Sequence, residues 1–286
     1  MQIVKSTDPQ AKPSIIMMVY GNGGVGKTTF ASTAPKPLLV DCENGAKYFG
    51  LRGIKMDVAK IANWSDVEGD LFDIASSGKY ETIIIDPIGE LMEKLKRYMI
   101  AKGDKKLVQS DGSPSMAGWG WMKDKMRGTI KVLRDSGVNL LLIAHISEYK
   151  DEERIVKRPM IMTKISDEIV NMVDIVGYMQ VIQVDGEEKR IIMVDPSSDK
   201  YVAKDRTGQL GKIIPPNFTD IIDACQGTKT FKWSNKDAKT GNENVEEEIP
   251  ENKTEAIEKK LKKAGAKKKA VKKEDGEVED EEVGLQ

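Results

Sequence analysis

The chain has 286 residues, 39% hydrophobic and 32% charged, with a formal net charge of −1 at pH 7; this length makes one sizeable domain with appendages or two small ones. Near-neutrality argues against a protein that coats nucleic acid over its whole surface, so any such contact must come from local loops or a tail. Two distant cysteines, Cys42 and Cys225, and a single histidine, His145, argue against a structural zinc site, and the longest N-terminal apolar run, Ile15 to Tyr20, is too short to span a membrane, which predicts a cytoplasmic protein.

Residues 1–13 are polar, contain two prolines and predict a flexible arm. Residues 14–227 then alternate short apolar runs with amphipathic stretches, the pattern of an α/β domain with a mostly parallel central sheet flanked by helices. The first run, Ile15 to Tyr20, predicts a strand and leads directly into Gly21-Asn22-Gly23-Gly24-Val25-Gly26-Lys27-Thr28. This octapeptide fits G-x-x-x-x-G-K-[ST] and lies between a strand and a helix predicted over Lys27 to Thr33, as a phosphate cradle requires. Glycines let successive N–H groups turn inward, and the helix start presents its positive end to the same point. Lys27 would reach the β- and γ-phosphates of ATP, Thr28 would ligate Mg²⁺, and Thr29 continues the binding segment.

A second strand, Pro37 to Asp41, ends on two acids, Asp41 and Glu43. After a helix over Trp64 to Ile74, the run Thr82 to Asp86 predicts a strand ending in a carboxylate, the form taken by the second Mg²⁺-organising group of P-loop NTPases. A helix over Ile88 to Ile100 precedes a long polar segment, 102–117, carrying Lys105 and Lys106. A helix over Trp119 to Ser136 then leads to a strand, Asn139 to His145. A second polar segment, 147–164, contains Tyr149, Lys150, Arg154, Lys157, Arg158 and Lys164. Polar connections of that length inside a compact domain carry function or lack order. Ile175 to Val184, Arg190 to Val194 and Lys200 to Lys204 predict late hairpin strands, with Asp185-Gly186 as a turn. From residue 228 the apolar periodicity stops. Lys259 to Lys273 carries nine lysines and no acid, Glu274 to Glu282 seven acids and no base. This composition predicts a disordered tail, Lys-rich then acidic, because it buries too little apolar surface to offset its ordering entropy.

The order of these elements resembles the RecA-like P-loop ATPases, in particular the AAA-family phage proteins of the Sak type that act in single-strand annealing. The resemblance implies roles for particular residues. Glu43 would be the base that orients the attacking water. His145 would stand where the family places a γ-phosphate sensor, usually Gln. Lys204 and Arg206, a Lys-x-Arg on a late strand, would enter the nucleotide site of a neighbouring subunit, and Trp119-Gly120 resembles a pair found in that group. The implied protein hydrolyses ATP with Mg²⁺ as a ring or filament of identical subunits. It acts on single-stranded DNA that stimulates it, beside a single-strand-binding protein, in a host cytoplasm. Its two polar segments would supply the DNA contacts, and Tyr149 could stack on a base.

Besides a small-molecule kinase, for which no acceptor pocket is marked although segment 147–164 carries arginines, two other readings remain open from the residues alone. One is a nucleotide-switched adaptor or loader that controls assembly of a DNA-replication partner. The other is a ParA-like partition ATPase, although that class has a signature lysine before the Gly-Gly where this chain has Asn22.

Overall fold

The computed structural model describes residues 13–151, 154–184 and 186–229. Six parallel strands form the centre of the sheet, in the order β7 (Ile175–Val184), β1 (Ile16–Gly21), β5 (Asn139–Asp151), β4 (Thr82–Asp86), β2 (Pro37–Asp41) and β3 (Asp57–Lys60). Antiparallel β8 (Glu187–Met193) and β10 (Ile213–Ile214) extend the β7 edge. The expected mostly parallel α/β architecture is therefore observed. Every residue of β1 is buried, as a strand covered on both faces demands.

Strand alternation sorts the apolar side chains into two cores. Ile16, Met18, Tyr20, Leu38, Val40, Ile83, Ile85, Leu140 and Leu142 face one side. There they meet α3 (Ile88–Ala101), α4 (Met116–Asp135) and α5 (Thr163–Met172) through Leu91, Leu95, Met122, Met126, Ile165 and Ile169. Met17, Val19, Leu39, Ile84, Leu141 and Ile143 face the other side, against Phe30 of α1 (Lys27–Ala31) and Phe218, Ile221 and Ile222 of α6 (Phe218–Cys225). Phe30 and Phe218 meet edge to face at 5.7 Å.

Several expectations need correction. The polar segment 147–164 is not a loop. β5 runs on past the sheet to Asp151 and pairs antiparallel with β6 (Arg154–Pro159), and α5 follows. Both strands of this hairpin are polar on at least one face, so hydrophobic alternation, the usual strand signal, is missing. The helix expected over Trp64 to Ile74 is present, helical over residues 65–76, with a π-helical stretch, Val67–Leu71, ahead of its last part, α2 (Phe72–Ser76). The strand expected over Lys200 to Lys204 shrinks to a Tyr201 bridge with Lys157 and the two-residue β9 (Lys204–Asp205), which pairs with Ile175 and Val176. β3 and α6 add to the expected elements: β3 is a mostly exposed edge strand, and α6 is announced by Asn217, whose side chain accepts from the Asp220 N–H at 3.2 Å.

The segment after α3 is held by its own bonds. The Lys106 N–H donates to Asp104 at 2.9 Å, the Gln109 side chain to the Pro114 carbonyl at 3.0 Å, and the Ser115 hydroxyl to the Lys106 carbonyl at 2.6 Å. Ser115 also caps α4, accepting from the Gly118 N–H at 3.1 Å. Gly118 packs so closely that a Cβ there would collide with the Leu107 carbonyl, whereas Gly120 faces open space. The constrained glycine thus precedes Trp119 rather than following it. Asp185, the arm 1–12 and the tail from residue 230 lie outside the described residues; Gly186 adopts φ 82 between β7 and β8.

Candidate active site

The octapeptide sits where β1 ends and α1 begins. Gly24 and Gly26 take φ values of 77 and 103, backbone that side-chain-bearing residues rarely adopt. Asn22, Gly23 and Gly24 form an exposed rim, while Lys27 is buried and folds back to donate to the carbonyls of Gly21 and Asn22, both at 2.8 Å. Burial lowers the Lys27 pKa, opposed by the charges of Asp86 and Glu43. A lysine that must lean on neutral carbonyls gains from an anionic acceptor, which is what a phosphate chain offers.

Thr28 donates its hydroxyl proton to the Asp86 carboxylate at 2.8 Å. The two oxygens expected to organise Mg²⁺ are therefore adjacent. Burial raises the Asp86 pKa, the Thr28 bond opposes this, and the neighbouring Glu43 charge adds to it. A hard divalent cation would satisfy both oxygens and relieve that burden, so the donor set fits magnesium.

Glu43 and Asp41 divide their work. Asp41 is buried, and its carboxylate accepts from the N–H groups of Glu43 at 3.3 Å, Gly45 at 3.0 Å and Ala46 at 3.0 Å. It shapes the turn after β2, in which Asn44 takes φ 61. Glu43, by contrast, is half exposed and lies 3.7 Å from the His145 Nε2. His145 is the register partner of Gly21 on β1. The fold thus gathers Lys27, Thr28, Glu43, Asp86 and His145 at the carboxyl ends of β1, β2 and β4 and at the point where β5 leaves the central sheet.

Residues 14–207 match the family model described as AAA domain. The chain belongs to that family. Family membership implies nucleotide hydrolysis, and the cradle lies within the matched residues. The chain is also 23% identical, over 206 residues, to the SPbeta prophage-derived uncharacterized protein YorG of Bacillus subtilis strain 168. That alignment covers 70% of this chain and 62% of the length of the relative. Among solved structures, a KaiC-like protein, PH0186, from Pyrococcus horikoshii OT3 aligns with 13% identity and a TM-score of 0.37, covering 63% of this chain and 77% of that one. Among the described residues no helix is long and apolar enough to cross a membrane.

Other expected site residues lie elsewhere. Lys204 and Arg206 are near the amino ends of the strands: Lys204 pairs in register with Val176, which is opposite Met18, three residues before Gly21. The Lys204 ammonium donates to the carbonyls of Val170, Asn171 and Val173 at 3.1, 2.9 and 2.7 Å, at the end of α5. Arg206 bonds to Asp174 at 3.3 Å and to the Asn171 carbonyl at 2.9 Å.

The DNA-contact set also separates. Tyr149, Arg154 and Arg158 share one face of the β5–β6 hairpin, with the Arg158 guanidinium 4.9 Å from the Tyr149 ring centre. Lys150 projects from the opposite face and is exposed. Lys157, on that face, turns inward over the Tyr178 ring at 5.3 Å, so it packs the base of the hairpin. Lys105 and Lys106 are exposed beside α3; the Lys164 side chain lies outside the described set.

Three residues at the site carried no sequence signal. Arg52 donates to the Thr29 hydroxyl at 3.0 Å, and Arg190 of β8 donates to the Val25 carbonyl at 3.2 Å. Tyr20, immediately before the cradle, is fully buried, and its hydroxyl lies 3.0 Å from the Lys157 carbonyl and 2.8 Å from that of Val202. All three depend on contacts between segments distant in sequence, which no local motif records.

Proposed function

We propose that this protein is an oligomeric, DNA-stimulated ATPase that acts on single-stranded DNA in recombination or annealing. The observation that carries the reading is the continuity of β5. The same strand places His145 3.7 Å from Glu43 and then leaves the sheet as one side of the hairpin bearing Tyr149, Lys150, Arg154 and Arg158. Events at the γ-phosphate and events on the hairpin therefore act on one rigid element. Similarity to a prophage-derived protein supports a phage setting.

In hydrolysis, Lys27 exchanges its two loop carbonyls for β- and γ-phosphate oxygens and offsets the charge developing there. Glu43, exposed and acceptor-rich, orients the attacking water. His145 reads the presence of the γ-phosphate through its contact with Glu43. Magnesium held by Thr28 and Asp86 would supply positive charge to the transferring phosphoryl group. Arg206 completes the site of a neighbouring subunit, since its place in this chain is remote from its own cradle.

The deciding experiment is the ATPase rate with and without single-stranded DNA across a salt series. Stimulation that weakens with rising salt is expected, with a slope that falls by about one unit in Arg158→Ala if that side chain meets a phosphate. A rate indifferent to DNA at every salt concentration overturns the DNA assignment and leaves an ATPase that switches a protein partner.

A further inference from the structure

Several arginines in this structure have an anionic partner, and Arg158 lies over the Tyr149 ring. Arg127, Arg134, Arg154 and Arg206 each pair with a carboxylate, from Glu168, Asp135, Asp199 and Asp174. Arg52 and Arg190 have no carboxylate partner among the described residues. Each instead touches the phosphate cradle, Arg52 at the Thr29 hydroxyl and Arg190 at the Val25 carbonyl. They come from opposite sides. Arg52 ends the short 3₁₀ segment Gly50–Arg52 that follows Glu43 and β2, while Arg190 projects from β8, beyond β7 on the other flank of β1. Both side chains are exposed.

The approach of Arg190 is close. Its Cδ and Nε lie 3.3 Å from where a Cβ on Gly26 would stand. The last glycine of the motif therefore also makes room for a crossing guanidinium. Each guanidinium spends one N–H on a neutral acceptor, and five such donors in a planar fork suit phosphate oxygens better than a hydroxyl or a carbonyl.

From this juxtaposition we infer that Arg52 and Arg190 form a pair of guanidinium clamps in the chain's own nucleotide site, gripping the diphosphate common to ADP and ATP from either flank of the cradle. The inference rests on the nucleotide-binding reading and extends it. Glu43 and His145 mark the edge where the γ-phosphate would lie, and neither arginine touches them; the clamps thus serve affinity, and the Glu43 edge serves turnover. They are binding residues in cis, different in kind from Arg206.

The test is Mg-ADP and Mg-ATP affinity by calorimetry, together with KM and kcat, for Arg52→Ala, Arg190→Ala, the two Lys substitutions and Lys27→Ala. Loss of one charge-assisted contact predicts about a tenfold weakening for each Ala variant, equal for ADP and ATP. KM should rise while kcat stays within about twofold, and Lys should restore part of the loss by supplying charge without the fork. The melting temperature without nucleotide should not move, because both side chains are exposed. Unchanged ADP affinity in either Ala variant while Lys27→Ala loses binding overturns the clamp pair and leaves the nucleotide site standing. Loss confined to kcat, or matched by a lower melting temperature without nucleotide, also overturns it by making the arginines catalytic or merely structural. If Lys27→Ala binds Mg-ADP normally, the cradle reading itself fails.

Discussion

At the carboxyl ends of the parallel strands, Lys27 leans on two carbonyls, and among the described residues Arg52 bonds to a hydroxyl and Arg190 to a carbonyl. At the amino ends, the Lys204 ammonium donates to three carbonyls, and Arg206 is held by Asp174 and Asn171. One end keeps each cation on one or two neutral partners that an anion can replace, and the other gives Lys204 three carbonyls and Arg206 a carboxylate and a carbonyl. Local satisfaction is thus a guide to role. It also separates Lys204 from Arg206. Lys204 caps a helix end, where a cation is favoured by the helix dipole, and burial together with the nearby Arg206 charge lowers its pKa. Arg206 has an exposed ion pair with Asp174, which contributes little and is easily exchanged.

The largest effect that tests this contrast is at Lys27. Lys27→Ala should lower turnover by about a thousandfold or more, because the removed charge faces the developing phosphoryl charge; near-normal phosphate release would erase the distinction between the two ends. Mixing comes next. Glu43→Gln and Arg206→Ala should each be nearly inactive alone, and a mixture should regain activity if one subunit's Arg206 serves another's Glu43. No recovery at any ratio would confine Arg206 to its present bonds.

Stability separates the two amino-end cations more finely. Lys204→Ala should destabilise the fold by about 1–2 kcal/mol through orphaned carbonyls at the end of α5, measured by chemical denaturation. Arg206→Ala should change it by less than about 0.5 kcal/mol. Equal losses would mean that both are structural.

A pH-dependent effect concerns Asp86. Burial raises its pKa in the folded state, so its contribution favours folding below the unfolded value and is lost as pH rises through the folded one. At neutral pH the ionised carboxylate therefore weakens the nucleotide-free fold. Asp86→Asn should raise stability by about 1 kcal/mol while abolishing magnesium-dependent turnover. The gain should shrink as pH falls through the Asp86 pKa, and a gain independent of pH would assign it to something other than this charge.

Much of the carboxyl-end site was legible in the sequence, because Gly, Lys and Thr at fixed spacing and an acid closing an apolar strand are local signals. The sheet was legible for a related reason: runs such as Thr82 to Asp86 are buried on both faces and read as strands without further context. The hairpin was not, since Glu148, Lys150, Arg154 and Lys157 interrupt any apolar alternation, and its order comes from pairing between β5 and β6 and from Tyr20 beneath its base. Arg52 and Arg190 were hidden for the same reason. A lone arginine 23 residues beyond Thr29 in sequence says nothing until the chain folds back upon it.

The extension of β5 past His145 also limits how this protein can change. From His145 to Asp151 the strand spans about 20 Å at the usual rise, a stiff arm rather than a tether. Its side chains alternate, so its length is quantised. Adding one residue to each strand between the sheet and Tyr149 would carry Tyr149 and Arg158 to the opposite face; adding two would return them to the original face farther out. Length variation in this arm is therefore compatible with its chemistry only in steps of two residues per strand.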